Sequence, residues 1–230
     1  MEQGTGKTVV SLAYMKLHPE IKPVLIVVPA AVKLNWKKEA EKWLDDPAIE
    51  ILKGKTPYNI DDDTKIAIIN YDILKDWQEE LKDWNPQMII YDECHRLKNS
   101  RAMRAKAAKY ISRKIPYTLH LSGTPVISRP IEIFNTINMI DRSVFPSWYK
   151  YTKRYCNAKK TRFGYDVNGA SHLDELHQKL INTIMYRVKK QDVLKDLPDK
   201  QISFVPIEID NGKEYKQAEA NFIQFIRETK

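Results

Sequence analysis

Only two cysteines, Cys94 and Cys156, occur in 230 residues. That is too few for a disulfide framework or for a zinc site built from cysteine alone. No run of about 18 apolar residues is present, which excludes a membrane-spanning helix. The opening Met1-Glu2-Gln3-Gly4 lacks the basic segment and following apolar stretch of a secretory signal. Internal repeats and low-complexity tracts are missing too. Acids are absent from two long stretches, Cys94 to Ile131 and Arg142 to Tyr165. Lys plus Arg number 38 against 30 Asp plus Glu, a formal net charge of +8. These absences lead us to expect an intracellular chain with no membrane partner, cytoplasmic in a prokaryote or virus and nuclear in a eukaryote. Its basic balance favours an anionic partner, and nucleic acid is the commonest.

The length suits one large domain, or one domain with an appendage, able to bury a sizeable core. Up to about Met139, short β-branched runs alternate with longer mixed segments. Val24–Val28, Ile66–Ile69, Met88–Tyr91 and Thr118–Leu121 are bounded by Pro, Asn, Asp or Gly, as buried strands of a parallel sheet are. Between them, Thr8–Leu17, Val32–Leu44 and Arg101–Ser112 carry helical patterns. Strand and helix in alternation predict a layered α/β fold. After about Ile140 the character changes. Residues 141–170 are rich in aromatics, Lys and Arg, with a turn expected around Gly164 and Gly169. Residues 172–181 read as a helix, 202–209 as a strand, and 211–228 as an amphipathic helix with Tyr215, Ala218, Phe222, Phe225 and Ile226 on one side. Both ends read as cut rather than finished.

Gly4-Thr5-Gly6-Lys7-Thr8 has the core of a phosphate-binding loop. Its glycines let successive N–H groups turn inward around phosphate oxygens at a helix N-terminus. Lys7 is placed to reach the β- and γ-phosphates of ATP, and the Thr8 hydroxyl to ligate Mg²⁺. The full pattern asks for glycine where Met1 stands, so the same residues also fit a glycine-rich turn capping an ordinary helix.

Met88-Ile89-Ile90-Tyr91 runs into Asp92-Glu93-Cys94-His95. A carboxylate at the carboxyl end of a hydrophobic strand lies where nucleotides bind in open α/β folds. Asp92 is the expected outer partner of Mg²⁺, and Glu93 is placed to orient water and accept its proton. An ordinary acidic exit from a strand has the same appearance when taken alone. His95 would link this site to the segment after it, and no second Cys/His cluster supports zinc. His18, His120, His172 and His177 are scattered, the last two read as surface or packing residues. Leu121-Ser122-Gly123-Thr124-Pro125 closes another strand with a small hydroxyl-rich turn, suited to bonding the acidic pair or to a plain strand-to-helix loop.

Taken together and in this order, the loop at residues 4–8, Pro29 after its strand, Asp92-Glu93-Cys94-His95-Arg96-Leu97-Lys98-Asn99 and Leu121–Pro125 resemble motifs I, Ia, II and III of superfamily 2 helicases. The Arg-Leu-Lys-Asn tail resembles the SNF2-like branch of DNA translocases, as does Ile69-Asn70-Tyr71. Arg154–Asn157, residues 163–166, Gly169–Ser171 and Leu173–Leu176 resemble the annealing-helicase (HARP-like) subgroup. Arg187 and Asp192–Lys200 resemble the SNF2 segment leading from the first lobe toward the second.

The resemblance covers essentially the whole chain. It implies a RecA-like three-layer P-loop sandwich with a mainly parallel sheet and an SNF2-type helical appendage. The implied division is a nucleotide-binding lobe at 1–140, a helical and basic/aromatic insertion at 141–200, and a strand and helix at 201–230. The implied activity is a DNA-dependent ATPase that translocates on duplex or branched DNA with little sequence preference. A catalytically inactive DNA-binding fragment of such a protein is the alternative. ATP and Mg²⁺ are the expected cofactors. Gly4, Thr5, Gly6, Lys7, Thr8, His95, Ser122 and Thr124 are expected at the nucleotide, Thr8 and Asp92 at the metal, and Lys7, Asp92 and Glu93 in catalysis. Three departures stand out. Val188 follows Arg187 where the subgroup has paired Arg, Cys94 stands where Ala or Gly is commoner, and the second RecA-like lobe with its arginine fingers is not found within residues 1–230.

The acid-free stretches hold the candidate nucleic-acid contacts: Arg96, Lys98, Asn99, Arg101, Lys153 and Arg154. In the second stretch Lys150, Lys159, Lys160 and Arg162 interleave with Trp148, Tyr149, Tyr151 and Tyr155. Cations neutralise phosphates and aromatic rings stack on sugars or bases. Solvated helix charge accounts equally for part of Arg101–Lys114.

Overall fold

A computed structural model describes residues 1–124, 128–162, 164–193, 203–206 and 210–228. The chain divides into two compact units, Met1–Lys195 and Asp196–Lys230. The first is built on a five-stranded, wholly parallel sheet with strand order β2-β3-β1-β4-β5. Its strands are β1 (Val24–Val28), β2 (Ile49–Ile51), β3 (Ile66–Asn70), β4 (Met88–Asp92) and β5 (Tyr117–Leu121).

The three central strands β1, β3 and β4 are buried on both faces, which is why they read as unbroken Val/Ile runs instead of alternating ones. Alternation still decides which side chain faces which layer. Val24, Ile26, Val28, Ile66, Ile68, Met88 and Ile90 pack against Leu12 and Met15 of α1 (Lys7–Leu17) and Trp36 and Ala40 of α2 (Lys33–Trp43). Leu25, Val27, Ala67, Ile69, Ile89 and Tyr91 face the opposite way. They meet Leu81 of α3 (Gln78–Asp83), and Ala105, Ala107, Ala108 and Ile111 of α4 (Met103–Ser112). Three alanines let the α4 backbone approach the sheet closely. Full burial of each Val or Ile contributes about 1.5–3 kcal/mol, so this pattern fixes both register and layering.

A third core lies outside the sheet. Ile133 and Ile137 of α5 (Ile131–Ile140), Tyr151 and Tyr155 of α6 (Trp148–Tyr155), and Leu176 and Leu180 of α7 (Leu173–Ile181) close around Phe145 and Cys156. Ser147 caps α6 by accepting from the Lys150 N–H at 3.3 Å. An antiparallel hairpin, β6 (Lys159–Thr161) with β7 (Gly164–Asp166), follows α6, where the sequence suggested a turn. The short helix α8 (Lys190–Val193) comes near the end of this unit.

The second unit contains α9 (Gly212–Glu228), matching the expected amphipathic helix. The expected strand at 202–209 is corrected in part. Residues 203–206 are neither helix nor strand, because apolar residues become a strand only when a neighbour takes up their backbone groups. Residues 202 and 207–209 lie outside the described residues. So do Pro125 of the hydroxyl-rich turn, Phe163, and residues 194–200 of the interlobe-like segment. No described helix is long and apolar enough to cross a membrane.

Candidate nucleotide-binding site

Parallel strands in register bring their carboxyl ends to one edge of the sheet. Val28 sits beside Asn70, and Asp92 beside Leu121. The segments that leave these ends, at Pro29, Tyr71, Glu93 and Ser122, therefore share one rim.

The loop before α1 is shaped by Gly4 and Gly6, at φ 77° and 82°, in the left-handed region that glycine enters without strain. Within it the Thr5 hydroxyl donates to the Glu2 carbonyl at 2.7 Å, and Lys7 Nζ donates to the same oxygen at 3.1 Å. Helix α1 starts at Lys7 with no acid in its first turn, so its amino end offers free N–H groups and a positive dipole end to an anion. Thr8 is half-buried in that turn.

Asp92 is the last residue of β4, and alternation turns it to the α1/α2 face with Ile90 and Met88. Its carboxylate is held at both oxygens: Oδ1 accepts the Glu93 N–H at 3.0 Å, and Oδ2 accepts the indole N–H of Trp36 at 2.9 Å. Its carbonyl accepts the Tyr71 hydroxyl at 2.6 Å. Burial raises the Tyr71 phenol well above its ordinary range, so it acts as a neutral donor. Glu93 takes φ 50°, ψ 51°, a left-handed conformation that costs a non-glycine residue about 1–3 kcal/mol. The turn throws its side chain to His95, with Glu93 Oε2 and His95 Nδ1 3.2 Å apart. The same Nδ1 lies 3.2 Å from Ser122 Oγ, which accepts the Thr124 N–H at 3.1 Å.

The glycine loop before α1 joins this network through Gly123. A Cβ built there would lie 2.9 Å from Gln3 Cγ and 3.7 Å from Lys7 Nζ. The hydroxyl-rich turn thus lies directly against the loop, at a distance only glycine permits. The residues expected at a nucleotide form one connected set: Gly4 to Thr8, then Gly123 and its neighbours Ser122 and Thr124, then His95, Glu93 and Asp92. Oxygen donors at Thr8 and Asp92 suit a hard cation such as Mg²⁺. Cys94 belongs to the core, and burial, then the Glu93 and Asp92 charges, push its thiol up to about 12. No group of three or more His, Cys, Asp or Glu able to hold a metal occurs among the described residues.

Trp36 and Tyr71 were not singled out by sequence reasoning. Trp36 read as part of an amphipathic helix and Tyr71 as part of a motif. Their shared grip on Asp92 is visible only once α2 and the β3 exit converge on the end of β4.

The candidate nucleic-acid residues divide. Arg101 and Lys153 are exposed. Lys98 is paired with Glu132 at 3.0 Å, and Arg154 with both carboxylate oxygens of Glu175. Asn99 Oδ1 accepts the Arg101 N–H at 3.0 Å, shaping its own loop. The Arg96 carbonyl accepts from Arg104 Nε at 2.9 Å, and its own Nε is shielded from solvent without a partner among the described residues. The aromatics divide also, so the DNA-contact expectation for this segment is corrected for two of its four rings. Tyr151 and Tyr155 are core residues, the former donating to the Pro130 carbonyl at 2.7 Å and the latter to Glu175 at 2.8 Å. Trp148 and Tyr149 stay exposed, with Tyr149 set edge-on to Tyr165 of the hairpin, centroids 5.9 Å apart. Lys150, Lys159 and Lys160 are exposed beside them.

A parallel sheet between helical layers, with a glycine loop and strand-end carboxylates gathered at its carboxyl edge, defines a P-loop lobe of RecA type. The family described as SNF2-related domain matches residues 1–229, and the chain belongs to it. It is similar to the DNA annealing helicase and endonuclease ZRANB3 of Mus musculus, 36% identical over 219 residues, covering 90% of this chain and 20% of that protein. It is also similar to the Caenorhabditis elegans homologue of SWI/SNF-related matrix-associated actin-dependent regulator of chromatin subfamily A-like protein 1, at 35% identity over 205 residues, covering 87% of this chain and 29% of that one. Among solved structures, the Sulfolobus solfataricus SWI2/SNF2 ATPase core in complex with dsDNA shares the fold, with TM-score 0.66, 22% identity, and 86% of this chain and 41% of that chain covered. The chain spans about a fifth to under a third of the length of these relatives.

Proposed function

We propose that this SNF2-family ATPase domain binds Mg²⁺-ATP between residues 4–8 and the Asp92–Glu93 pair, and that it is the first lobe of a DNA-dependent ATPase that tracks duplex DNA. The observation that supports this most directly is the closeness of Gly123 to Gln3 and Lys7, where an added Cβ would meet both side chains. It joins the phosphate loop to the turn that bonds His95, and His95 in turn meets Glu93.

In this reading the loop N–H groups and Lys7 cradle the β- and γ-phosphates, while Thr8 and Asp92 hold the metal. Bound Mg²⁺ supplies charge neutralisation on the phosphate oxygens. Glu93 orients a water molecule in line with the γ-phosphorus and takes its proton. His95 fixes the Glu93 side chain and passes any displacement to Ser122, so loss of the γ-phosphate moves the Ser122–Thr124 turn. Exposed cations at Arg101, Lys150, Lys153, Lys159 and Lys160 contact phosphates of the DNA backbone, which gives affinity without reading bases.

Family resemblance assigns the arginine fingers to a second lobe. Such a finger is worth about 10³–10⁵ in rate, so the 230-residue chain should bind nucleotide weakly and hydrolyse it very slowly. Steady-state ATPase assays with and without duplex DNA test this. Near-zero turnover that rises when a second lobe is supplied supports the reading, and brisk DNA-stimulated turnover by the chain alone overturns the need for that lobe. Absence of any nucleotide binding by calorimetry would favour a DNA-binding role without an ATP cycle.

A further inference from the structure

Trp36 is 1% exposed and has one polar atom. That atom, Nε1, points at Asp92 Oδ2 from 2.9 Å. An indole needs its N–H satisfied when buried, but any carbonyl nearby serves for that. Here the acceptor is the carboxylate at the end of β4, whose other oxygen accepts the Glu93 N–H and whose carbonyl accepts the Tyr71 hydroxyl. Three donors, from α2, from the exit of β3 and from the residue after β4, thus immobilise one residue.

We infer that Trp36 is a positioning residue for the metal. By accepting this N–H, the Asp92 carboxylate is kept in a single rotamer at the rim, with lone pairs on both oxygens still free to meet Mg²⁺ or its waters. A carboxylate free to rotate pays for that freedom on binding the ion, and a fixed one does not. The inference rests on the reading of Asp92 as a metal residue and adds a partner that acts through it. Tyr71 contributes from the opposite side of the strand end by holding the Asp92 backbone, so its share is smaller.

The test is ADP binding to the whole chain, titrated by calorimetry across a Mg²⁺ series and repeated in EDTA. Trp36→Phe keeps a ring and removes the donor. Immobilising one free side chain on binding is worth up to roughly tenfold in an equilibrium constant. The expected result is a roughly tenfold higher Mg²⁺ requirement, with ADP affinity in EDTA unchanged. Trp36→Phe should add nothing in an Asp92→Ala background, since its effect passes through that carboxylate. Tyr71→Phe, which opens no cavity, should raise the Mg²⁺ requirement severalfold. It carries the test if circular dichroism shows Trp36→Phe unfolded. An unchanged Mg²⁺ requirement in the folded Trp36→Phe protein overturns the inference, as does an effect that persists without Asp92, or an inert Tyr71→Phe where Trp36→Phe does not fold. If Asp92→Ala itself leaves the Mg²⁺ requirement unchanged, the metal reading of Asp92 falls, and the inference falls with it. If Asp92→Ala removes the Mg²⁺ effect and folded Trp36→Phe does not alter it, only the role of Trp36 is lost.

Discussion

Gly123 and Lys7 are neighbours. A methyl group on Gly123 would come 3.7 Å from the Lys7 ammonium and 2.9 Å from Gln3 Cγ, with the Gln3 backbone nitrogen at 3.4 Å. The turn after β5 and the loop before α1, far apart in sequence, are therefore fitted to each other at the limit of close packing. Gly123→Ala should push the loop outward. Overpacking typically costs about 1–3 kcal/mol of stability, so the melting temperature should fall by several degrees and ADP affinity should fall with the displaced loop. Calorimetric titration and thermal denaturation of the same sample check both halves, and unchanged affinity would mean that the loop yields freely.

Lys7→Ala removes the only side-chain cation in the Gly4–Thr8 loop. Nucleotide binding should drop below detection by calorimetry, with the circular dichroism spectrum unchanged. Retention of wild-type affinity would take Lys7 out of the phosphate site.

Arg154 is engaged by Glu175, whose carboxyl is held down at about 2 by its bonds to Arg154 and Tyr155. Both partners of the pair are about half exposed. Glu175→Gln should release the guanidinium to DNA phosphates, strengthening duplex binding and steepening its salt dependence by about one unit of log K against log salt. Replacing Lys159 and Lys160 by Ala should do the reverse, flattening the slope by up to about two units. Fluorescence anisotropy over a salt series measures both. Equal slopes in all three proteins would place the DNA contact elsewhere.

His120 and Thr118 on β5 have side-chain polar atoms shielded from solvent and without partners among the described residues. Burial pushes the His120 imidazole down to about 3, from an ordinary 6.5. The folded protein therefore holds it neutral between those values, whereas the unfolded chain protonates it below about 6.5. Stability should fall as the pH drops through that window. His120→Leu should stabilise the protein by about 1–3 kcal/mol, the cost of an unsatisfied buried group, and flatten that acid loss. Urea denaturation at neutral pH and at pH near 4 tests this, and a destabilised, equally acid-sensitive variant would refute it.

Much of the lobe was legible in the chain because its signals are local. Runs such as Val24–Val28 and Met88–Asp92 became the central strands, since buried parallel strands need apolar side chains on both faces. The glycines at 4 and 6 and the acids at 92 and 93 follow from backbone freedom and strand-end position. Less was legible where a neighbour decides. β2 is three half-buried residues, Ile49–Ile51, at the sheet edge, too short to show a period. Ile131–Ile140 is rich in β-branched residues yet helical, because Ile133 and Ile137 find their partners one turn apart in the third core.

Reading along the chain is enough to obtain the layered α/β order, the glycine loop at residues 4–8 and the acidic strand end, all properties of residues adjacent in the chain. Tertiary structure alone decided that Tyr151 and Tyr155 lie inside while Trp148 and Tyr149 stay outside. It also decided that Lys98 and Arg154 are paired, and that Trp36 and Tyr71 close on Asp92. Hydrogen bonds and ion pairs act over a few ångströms, and which groups come that close is set by the packing of α2, α5, α6 and α7, not by their spacing in the chain.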